Sequence, residues 1–505
     1  MSEGDARLRV YTVRGLFWSG VQRTGGQAIG LAAFIVLSRL LPPSAFGVLA
    51  LANVYLLVVL LFVEQGVNQA IIQRHSLSPD HLDAAFSVTL ALAALLMLLT
   101  VTLAGPIARI FNAPTLEPVL RWLSLTLLLS GLRATQTAFL QRQLRFRDLA
   151  VRATVAEGIG GGVGIAMALA GLGVWSLVGQ ALARGLAGVV VLWRVSTWRP
   201  RFRIDFLPLR EVTQFGLPVL GDRLLALVQG KADDLVIGLM FGATALGYYA
   251  VGYRMLTYVT TLLAGTIQTV ALPVLSRLQQ DLGRFRHALL AMWEYLALGA
   301  FPVFVGIAFV SPGIVPVLFG PGWTPSIPVM QVLALAGAVK MLPLATSTAL
   351  VARGRPGLQL RLNLVTTVLA VLGYVAVVER GIVAVALVHL VVALVVIPLH
   401  VGLLRSRFDI PPRAFFRATR TAGAGVLLMS AVLLPLTVLW KNAQSSVLWL
   451  IIMIVIGAAV YLAATYCLGR SSYDRARRAL REGILAVPGN AVTDLALETL
   501  ARPSP

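Results

Sequence analysis

Apolar stretches long enough to cross a membrane recur along almost the whole chain. A helix needs about 20 apolar residues to span the hydrocarbon core of a bilayer. Fourteen such stretches lie at 15–38, 46–66, 84–104, 119–140, 153–171, 174–194, 212–241, 245–268, 287–310, 327–350, 362–378, 381–404, 418–440 and 446–468. Every connection between them is much shorter than a small folded domain, which needs about 50 residues. The pattern predicts an all-α polytopic membrane protein without an extramembrane catalytic domain.

The composition excludes a soluble multidomain enzyme. Only 12% of the 505 residues are charged and 58% are hydrophobic, whereas a soluble protein has about 25% charged residues. The single cysteine, Cys467, excludes an intrachain disulfide and a cysteine-based metal cluster. The first apolar run exceeds signal-peptide length, so we expect the first span to be retained.

The distribution of positive charge predicts the orientation of the chain. The net charge is +21, and thirty of the 42 Lys and Arg residues lie at the termini or in even-numbered connections, against five in odd-numbered ones. Cytoplasmic segments of membrane proteins are enriched in Lys and Arg, so both termini are predicted to be cytoplasmic. Because this rule accounts for most of the excess charge, the basic composition does not indicate nucleic-acid binding.

The two halves of the chain resemble each other with an offset of 200 residues. Residues 35–47 align with 235–247, and Arg23 aligns with Arg223 in the same register. Since spans 1 and 7 both start in the cytoplasm, the repeat predicts two pseudo-symmetric six-helix lobes around a central cavity, plus two C-terminal helices. The predicted domains are an N-terminal lobe at 1–205, a C-terminal lobe at 206–410, spans 13 and 14 at 411–470 and a cytoplasmic tail at 471–505.

Charged residues also fall inside the predicted spans. The basic ones are Arg23, Arg133, Arg184, Arg223, Lys231, Arg254 and Lys340, and the acidic ones are Glu64, Glu157, Asp222, Asp233, Asp234 and Glu294. A charge at the bilayer centre costs about 2.5–3.5 kcal/mol even on the most lenient scale. We therefore expect these side chains to face the interior of the bundle or a water-filled cavity.

Some of these cations lie on polar helix faces. In spans 1, 4, 7 and 8 polar residues recur at intervals of three and four, as on one side of a helix. A surplus of fixed positive charge in a wet cavity attracts an anion, and phosphate suits the bidentate geometry of arginine. The predicted substrate-binding residues are Arg23, Arg254 and Lys340, followed by Arg133 and Arg223.

The alternative for each charge is a structural ion pair. The candidate pairs are Arg223 with Asp234 or Asp222, Lys231 with Asp234, and Arg184 with Glu157. Five acidic residues are also candidates for binding a proton or sodium ion coupled to transport, although pairing or a helix-end role is the favoured interpretation. They are Glu64, Glu157, Asp233, Asp234 and Glu294.

Enzyme motifs are absent from the sequence. It contains no phosphate-binding loop, no zinc-ligand spacing and no GxSxG motif. The five histidines are scattered, and isolated histidines of this kind are more often structural than ligands. We therefore expect no catalytic residue, no metal and no cofactor.

Several short motifs carry a family resemblance. They are SRLLPPSAFG at 38–47, IARIFNAPTL at 107–116, FLQRQLRFR at 139–147, the segment 234–249 and the segment 317–323. They resemble those of bacterial polysaccharide repeat-unit flippases of the Wzx type, in the exopolysaccharide and colanic-acid exporter branch. This family belongs to the multidrug/oligosaccharidyl-lipid/polysaccharide superfamily, and the resemblance covers about residues 10–440.

The resemblance implies a non-enzymatic flippase of the bacterial inner membrane. Such a protein moves undecaprenyl-pyrophosphate-linked oligosaccharide from the cytoplasmic to the periplasmic leaflet by alternating access, for lipopolysaccharide or exopolysaccharide biosynthesis. Its partners are the lipid-linked glycan, membrane lipids and the polysaccharide polymerase and chain-length machinery. The related lipid II flippase has cavity cations on its first and eighth helices, and Arg23 and Arg254 occupy similar places here.

Two other functions are alternatives. A cation-coupled multidrug exporter of the same superfamily is expected to have an acidic cavity for cationic drugs, whereas the predicted cavity here is cationic. A membrane glycan polymerase or ligase commonly needs a sizeable periplasmic loop, and the odd-numbered connections are short and nearly uncharged. Both comparisons favour the flippase.

Overall fold

A computed structural model describes residues 25–73, 78–201 and 207–469, and these ranges contain helices but no β-strand. In chain order, helices α1 to α15 are Gly25–Leu40, Pro43–Gln73, Pro79–Ile110, Leu116–Leu123, Leu125–Arg142, Phe146–Leu169, Trp175–Val195, Leu207–Arg277, Leu282–Ile314, Ser326–Lys340, Leu342–Ala352, Pro356–Val377, Ile382–Phe408, Pro412–Leu439 and Val447–Leu468. Short helical turns lie at Val315–Phe319, Pro321–Trp323, Val378–Arg380 and Lys441–Ala443.

The membrane-spanning character of the chain is confirmed. Eleven helical stretches in the described ranges are long and apolar enough to cross a membrane. Ten of these stretches correspond one to one to predicted spans, and the eleventh, within α8, covers most of both span 7 and span 8. Predicted span 1 is represented by the shorter helix α1, and span 4 is divided between α4 and α5. The protein is an all-α, multi-pass membrane protein, and each of the fourteen predicted spans has a helical counterpart.

Helix α8 consists of two helices joined at Gly242. The backbone there has φ 76° and ψ −175°, a conformation that a residue with a Cβ rarely adopts. The two parts, 207–241 and 243–277, correspond to predicted spans 7 and 8. A single glycine therefore makes the whole connection between these spans.

Predicted spans 4 and 10 are each divided. Helices α4 and α5 meet at Ser124, whose hydroxyl donates to the carbonyl of Arg121 at 2.6 Å, and such side-chain bonds to the preceding turn often bend a helix. Helices α10 and α11 meet at Met341. Pro343 lacks the N–H that would bond to the carbonyl four residues earlier, so the series of helical hydrogen bonds is interrupted at this point.

The chain separates into two compact units between Ala250 and Val251. In the first unit, α6 and α7 approach closely at two glycines of α6. A Cβ at Gly160 would lie 2.7 Å from Arg184 Cβ, and a Cβ at Gly164 would lie 2.9 Å from Gln180 Cβ. The predicted lobe boundary between 205 and 206 stays a prediction.

A second close approach in the first unit joins the starts of two helices. A Cβ added at Gly47, near the start of α2, would lie 1.6 Å from the carbonyl oxygen of Ala243. A Cβ added at Gly247 would lie 2.0 Å from the carbonyl oxygen of Pro43. The two contacts are reciprocal at the 200-residue offset of the repeat, because each glycine meets the residue that starts the other helix.

In the second unit the last two helices pack on α9. Trp449 of α15 lies over Gly313, where an added Cβ would come within 2.6 Å of the indole ring. The hydroxyl of Tyr461 donates to the carbonyl of Leu298 at 2.9 Å. Phe415 of α14 makes an edge contact with Trp293, with ring centroids 5.1 Å apart.

The same turn follows α5 in the first unit and α11 in the second. It places Leu144 at φ 57° and Gly354 at φ 67°, two positions 210 residues apart. The arginine at each turn donates to the backbone of an earlier segment, Arg142 to Ile71 at 2.8 Å and Arg353 to Gln279 at 2.6 Å. The second copy uses the residue type that best tolerates this backbone conformation, and the first holds a leucine there.

Candidate functional site

Three of the charged residues singled out in the sequence lack a described side chain. Arg23 lies outside the described residues, and the side chains of Glu64 and Asp222 are likewise not described. The remaining predicted binding residues are distributed over both units. Arg133 and Arg223 belong to the first unit, and Arg254 and Lys340 belong to the second.

Arg254 lies on the second part of α8, one helical turn before a tyrosine. Its guanidinium donates to the hydroxyl of Tyr258 at 3.3 Å and lies 5.7 Å from the centre of that ring. The aromatic ring orients the planar guanidinium and the apolar stem of the arginine, and the arginine keeps its positive charge. The residue is half-buried, and the neighbouring Thr257 is exposed. This part of the predicted polar face of span 8 is therefore accessible.

Lys340 is the last residue of α10, immediately before the break in span 10. Its side chain is exposed, and its Nζ lies 2.5 Å from Nδ1 of His389 on α13. The break is held by Trp293, whose indole N–H donates to the carbonyl of Leu342 at 2.9 Å. The carboxyl end of a helix favours a cation, so the position of Lys340 stabilises its charge.

His389 is a site residue that the sequence interpretation missed. It is 3% exposed, and it joins Lys340 to Tyr374 and to the ring of Tyr253, the residue before Arg254. The two predicted cations of the second unit thus lie on helices that meet at this histidine. The available signal was an ionisable side chain in the middle of an apolar span, which is a candidate functional group on energetic grounds.

The two cations of the first unit differ in their surroundings. Arg133 is half-buried and donates to the hydroxyl of Ser130 at 3.1 Å. Arg223 is exposed. No ion pair joins Arg223 to Asp234 in the part of the chain that the structure describes, and the side chain of Asp222, the alternative partner, is not described.

The other two predicted ion pairs are present. Lys231 Nζ lies 2.5 Å from Asp234 Oδ2 in α8, and Arg184 lies 3.3 Å from Glu157 between α7 and α6. Arg184, Glu157 and Lys231 therefore follow the structural interpretation, whereas Asp234 combines its ion pair with burial beside Asp233. The pair around Asp234 is the more deeply placed, with a carboxylate that is only 5% exposed.

Asp233 has a different partner from its neighbour. Its side chain is completely buried, and the hydroxyl of Tyr249 donates to its Oδ2 at 2.7 Å. The contact crosses the Gly242 junction and so ties the two parts of α8 together. Glu294 on α9 is half-buried. Among the described residues, no three carboxylate, imidazole or thiol side chains are grouped closely enough to hold a metal ion.

Comparison with known sequences gives matches over more than half of the chain. The family model described as "Polysaccharide biosynthesis protein" matches residues 36–328. Succinoglycan biosynthesis transport protein ExoT of Rhizobium meliloti (strain 1021) is 24% identical over 326 residues, 65% of this chain and 66% of ExoT. Teichuronic acid biosynthesis protein TuaB of Bacillus subtilis (strain 168) is 26% identical over 299 residues, 59% and 62% of the two chains. The matches thus span slightly less than two thirds of both relatives.

A further relative and two solved structures extend the comparison. Lipopolysaccharide biosynthesis protein WzxC of Escherichia coli (strain K12) is 23% identical over 368 residues, 72% of this chain and 74% of WzxC. Lipid II flippase MurJ in an inward closed conformation matches with a TM-score of 0.72 and 13% identity, over 90% of this chain and 99% of MurJ. An inward-facing multidrug resistance MATE family transporter matches with a TM-score of 0.60 and 17% identity, over 78% and 98%. The two structures establish the fold.

Proposed function

The chain belongs to the polysaccharide biosynthesis protein family, and from that premise we propose that it is a flippase for undecaprenyl-pyrophosphate-linked oligosaccharide repeat units. The repeat unit passes from the cytoplasmic to the periplasmic leaflet of the inner membrane by alternating access, for lipopolysaccharide or exopolysaccharide synthesis. The names of the relatives ExoT and WzxC support a role in polysaccharide assembly. In this proposal the protein performs no catalysis and has cytoplasmic termini.

One observation carries the choice of an anionic cargo. Arg254 and Lys340 sit in apolar helices of the second unit, where they contact Tyr258 and His389. Fixed cations in apolar spans attract an anion, and a diphosphate matches that charge. Arg23, Arg133 and Arg223 complete the proposed binding set.

The acidic residues have a separate proposed role. Asp233 and Asp234 are buried next to each other in α8, and a buried carboxylate pair that gains or loses a proton or sodium ion is a means of coupling to an ion gradient. Glu64 and Glu294 are the further candidates, while Glu157 is engaged by Arg184. The proposed partners beyond the substrate are membrane lipids and the polysaccharide polymerase and chain-length machinery.

Arg254 provides the first test. We expect Arg254→Ala to stop delivery of lipid-linked glycan to the periplasm, and Arg254→Lys to retain part of the activity because it keeps the charge but loses the planar contact with Tyr258. The measurement is surface polysaccharide per unit of membrane-inserted protein in a strain that depends on this chain.

The matched control removes an arginine that has a carboxylate partner. The double variant Glu157→Gln/Arg184→Gln deletes the ion pair without leaving an uncompensated charge, and we expect it to export glycan normally. Normal export by a well-expressed Arg254→Ala protein would contradict the assignment of Arg254. If the protein were instead a drug exporter, the alternative that shares the fold, cells with the wild-type protein would resist cationic compounds, and cells with Arg254→Ala or the double variant would lose that resistance.

A further inference from the structure

His389 joins four helices of the second unit. It lies on α13 and is 3% exposed. Lys340, at the end of α10, places Nζ 2.5 Å from Nδ1 of His389. Tyr374 on α12 is 1% exposed and places its hydroxyl 3.1 Å from Nε2. The ring of Tyr253 on α8 lies 5.8 Å from the imidazole, centroid to centroid.

The hydrogen-bond inventory limits the number of protons that this cluster holds. An ammonium has three donors and no acceptor, and a neutral imidazole has one donor and one acceptor, whereas an imidazolium has two donors. If Nδ1 of His389 accepts from Lys340, the imidazole is neutral, and the hydroxyl of Tyr374 lies 3.3 Å from Nδ1 and 3.1 Å from Nε2. In the reverse assignment a neutral amine accepts from an imidazolium. In both cases Lys340 and His389 share a single positive charge.

An anion changes this arrangement. Lys340 is exposed and His389 is buried behind it, so an anion that approaches the pair meets the ammonium first. An oxyanion that takes the donors of Lys340 removes the ammonium hydrogen bond from Nδ1 of His389. The negative charge of the anion also offsets a second positive charge, which otherwise would lie in contact with the first.

We propose that Lys340 and His389 form a proton-linked binding site for a diphosphate group, in which the anion binds Lys340 and His389 takes up one proton from water. One N–H bond forms at Nδ1, and one O–H bond breaks in the hydronium ion or protonated buffer molecule that donates the proton. Linkage requires that protonation of His389 strengthens diphosphate binding by the same factor by which bound diphosphate strengthens proton binding to His389. The inference rests on the proposed function, whose diphosphate it assigns to these residues.

The break in span 10 suits such a site. Lys340 ends α10, and α11 begins again after Met341, so the lysine lies at a helix end inside a membrane span. Interrupted membrane helices are found where transporters bind ions and charged substrates. The helix-end carbonyls favour the lysine charge, and the neighbouring helix supplies the histidine.

Other charged and titratable groups lie on the same or neighbouring elements. They include Arg254, Tyr258 and Arg277 on α8, Arg284, Arg286, His287, Glu294 and Tyr295 on α9, Arg361 on α12, Glu379 and Arg380 after α12, His400, Arg405 and Arg407 on α13, and Arg413, Arg417 and Arg420 on α14. His400 is the useful comparison, because it is 6% exposed and lies three turns from His389 on the same helix. It is the matched control for a buried histidine of α13.

The test measures binding of farnesyl diphosphate to the purified full-length chain between pH 6 and 8. In the wild-type protein we expect the dissociation constant to rise as the pH rises from 6 to 8, by up to about tenfold per pH unit, because binding takes up one proton. Calorimetry in buffers of different ionisation enthalpy should show uptake of about one proton per ligand. Protonation of the probe itself lowers its charge and acts with the opposite sign.

The variants separate a proton-linked site from a structural contact. His389→Gln keeps an acceptor for Lys340 but does not titrate, so we expect the proton uptake to disappear, while His400→Gln keeps it. If His389→Gln does not fold, Lys340→Gln provides the second test, with binding weakened at least tenfold and no proton uptake. Inorganic pyrophosphate, used in parallel, shows whether the isoprenoid chain is needed.

Two results would overturn the inference in distinguishable ways. Proton uptake by His389→Gln equal to that of the wild type, or wild-type affinity in Lys340→Gln, would make the pair a structural contact and leave the flippase function intact. Failure of the wild-type protein to bind either diphosphate would reject both this inference and the diphosphate site of the proposed function.

Discussion

At the scale of residues, the buried carboxylate of Asp233 accepts a hydrogen bond from Tyr249 across the Gly242 junction. Both side chains are completely buried, and the O–H of Tyr249 donates to Oδ2 at 2.7 Å. Hydrogen bonds to charged groups contribute about 1.5–3 kcal/mol, and a buried charge that loses a donor is left poorly solvated. Tyr249 therefore stabilises the packing of the two parts of α8.

We predict that Tyr249→Phe destabilises the protein by about 2 kcal/mol. The control is Tyr55→Phe, which removes a contact between neutral hydroxyls, from Tyr55 to Thr100 at 3.2 Å, and should cost about 1 kcal/mol or less. Thermal unfolding in detergent, followed by loss of monodisperse protein, compares the two variants. Equal midpoints for Tyr249→Phe and the wild type would show that this hydrogen bond does not stabilise the fold.

Some contacts between individual residues could be predicted from the sequence, and others could not. The pair Lys231–Asp234 was predictable because its members are three residues apart and so share a helix face. The contact between Lys340 and His389 was not, because it joins two helices 49 positions apart in sequence. Polar periodicity gives the face of each helix, but the rotation of one helix against another follows from packing of the whole bundle.

At the scale of elements, the starts of α2 and of the second part of α8 cross at two glycines. The Cβ positions built at Gly47 and Gly247 fall 1.6 Å and 2.0 Å from the carbonyl oxygens of Ala243 and Pro43. Since the obstructing atoms are backbone, a side chain at either glycine can be accommodated only if the two helix starts move apart. Glycine at both positions therefore allows the two helix starts to approach this closely.

We predict that Gly47→Ala and Gly247→Ala each lower the unfolding midpoint, with a cost of about 1–3 kcal/mol that is typical of overpacking. Either added methyl group pushes apart the same pair of helix starts. The double variant should therefore lose less unfolding free energy than the sum of the losses in the two single variants. Gly162→Ala on α6 is the control, because a Cβ there meets nothing within 4 Å. Full additivity, or wild-type stability of both single variants, would contradict the shared crossing.

The elements themselves were largely predictable. Apolar length identified the spans, and the gap between predicted spans 7 and 8 contains Gly242, where the backbone leaves the helical conformation. The breaks at Ser124 and Met341 were not predicted, because both interrupt apolar runs that are continuous in composition. Their causes are a hydroxyl that bonds to the preceding turn and a proline without an N–H, which hydropathy does not register.

At the scale of the whole molecule, the fold alone does not decide the cargo. The same fold occurs in the lipid II flippase MurJ and in a MATE family multidrug transporter. In the proposed function the cargo follows from basic residues within the spans, such as Arg133, Arg254 and Lys340. A positive interior favours an anionic substrate and opposes the entry of cationic drugs.

The most direct test of the central claim is translocation by the wild-type protein alone. Purified chain is reconstituted into liposomes with undecaprenyl-pyrophosphate-linked oligosaccharide in both leaflets, and an impermeant glycosidase is added outside. We predict that the glycan of the inner leaflet becomes accessible and is removed, whereas liposomes with Arg254→Ala protein keep it. An inner-leaflet fraction as fully protected with wild-type protein as in protein-free liposomes would contradict the account.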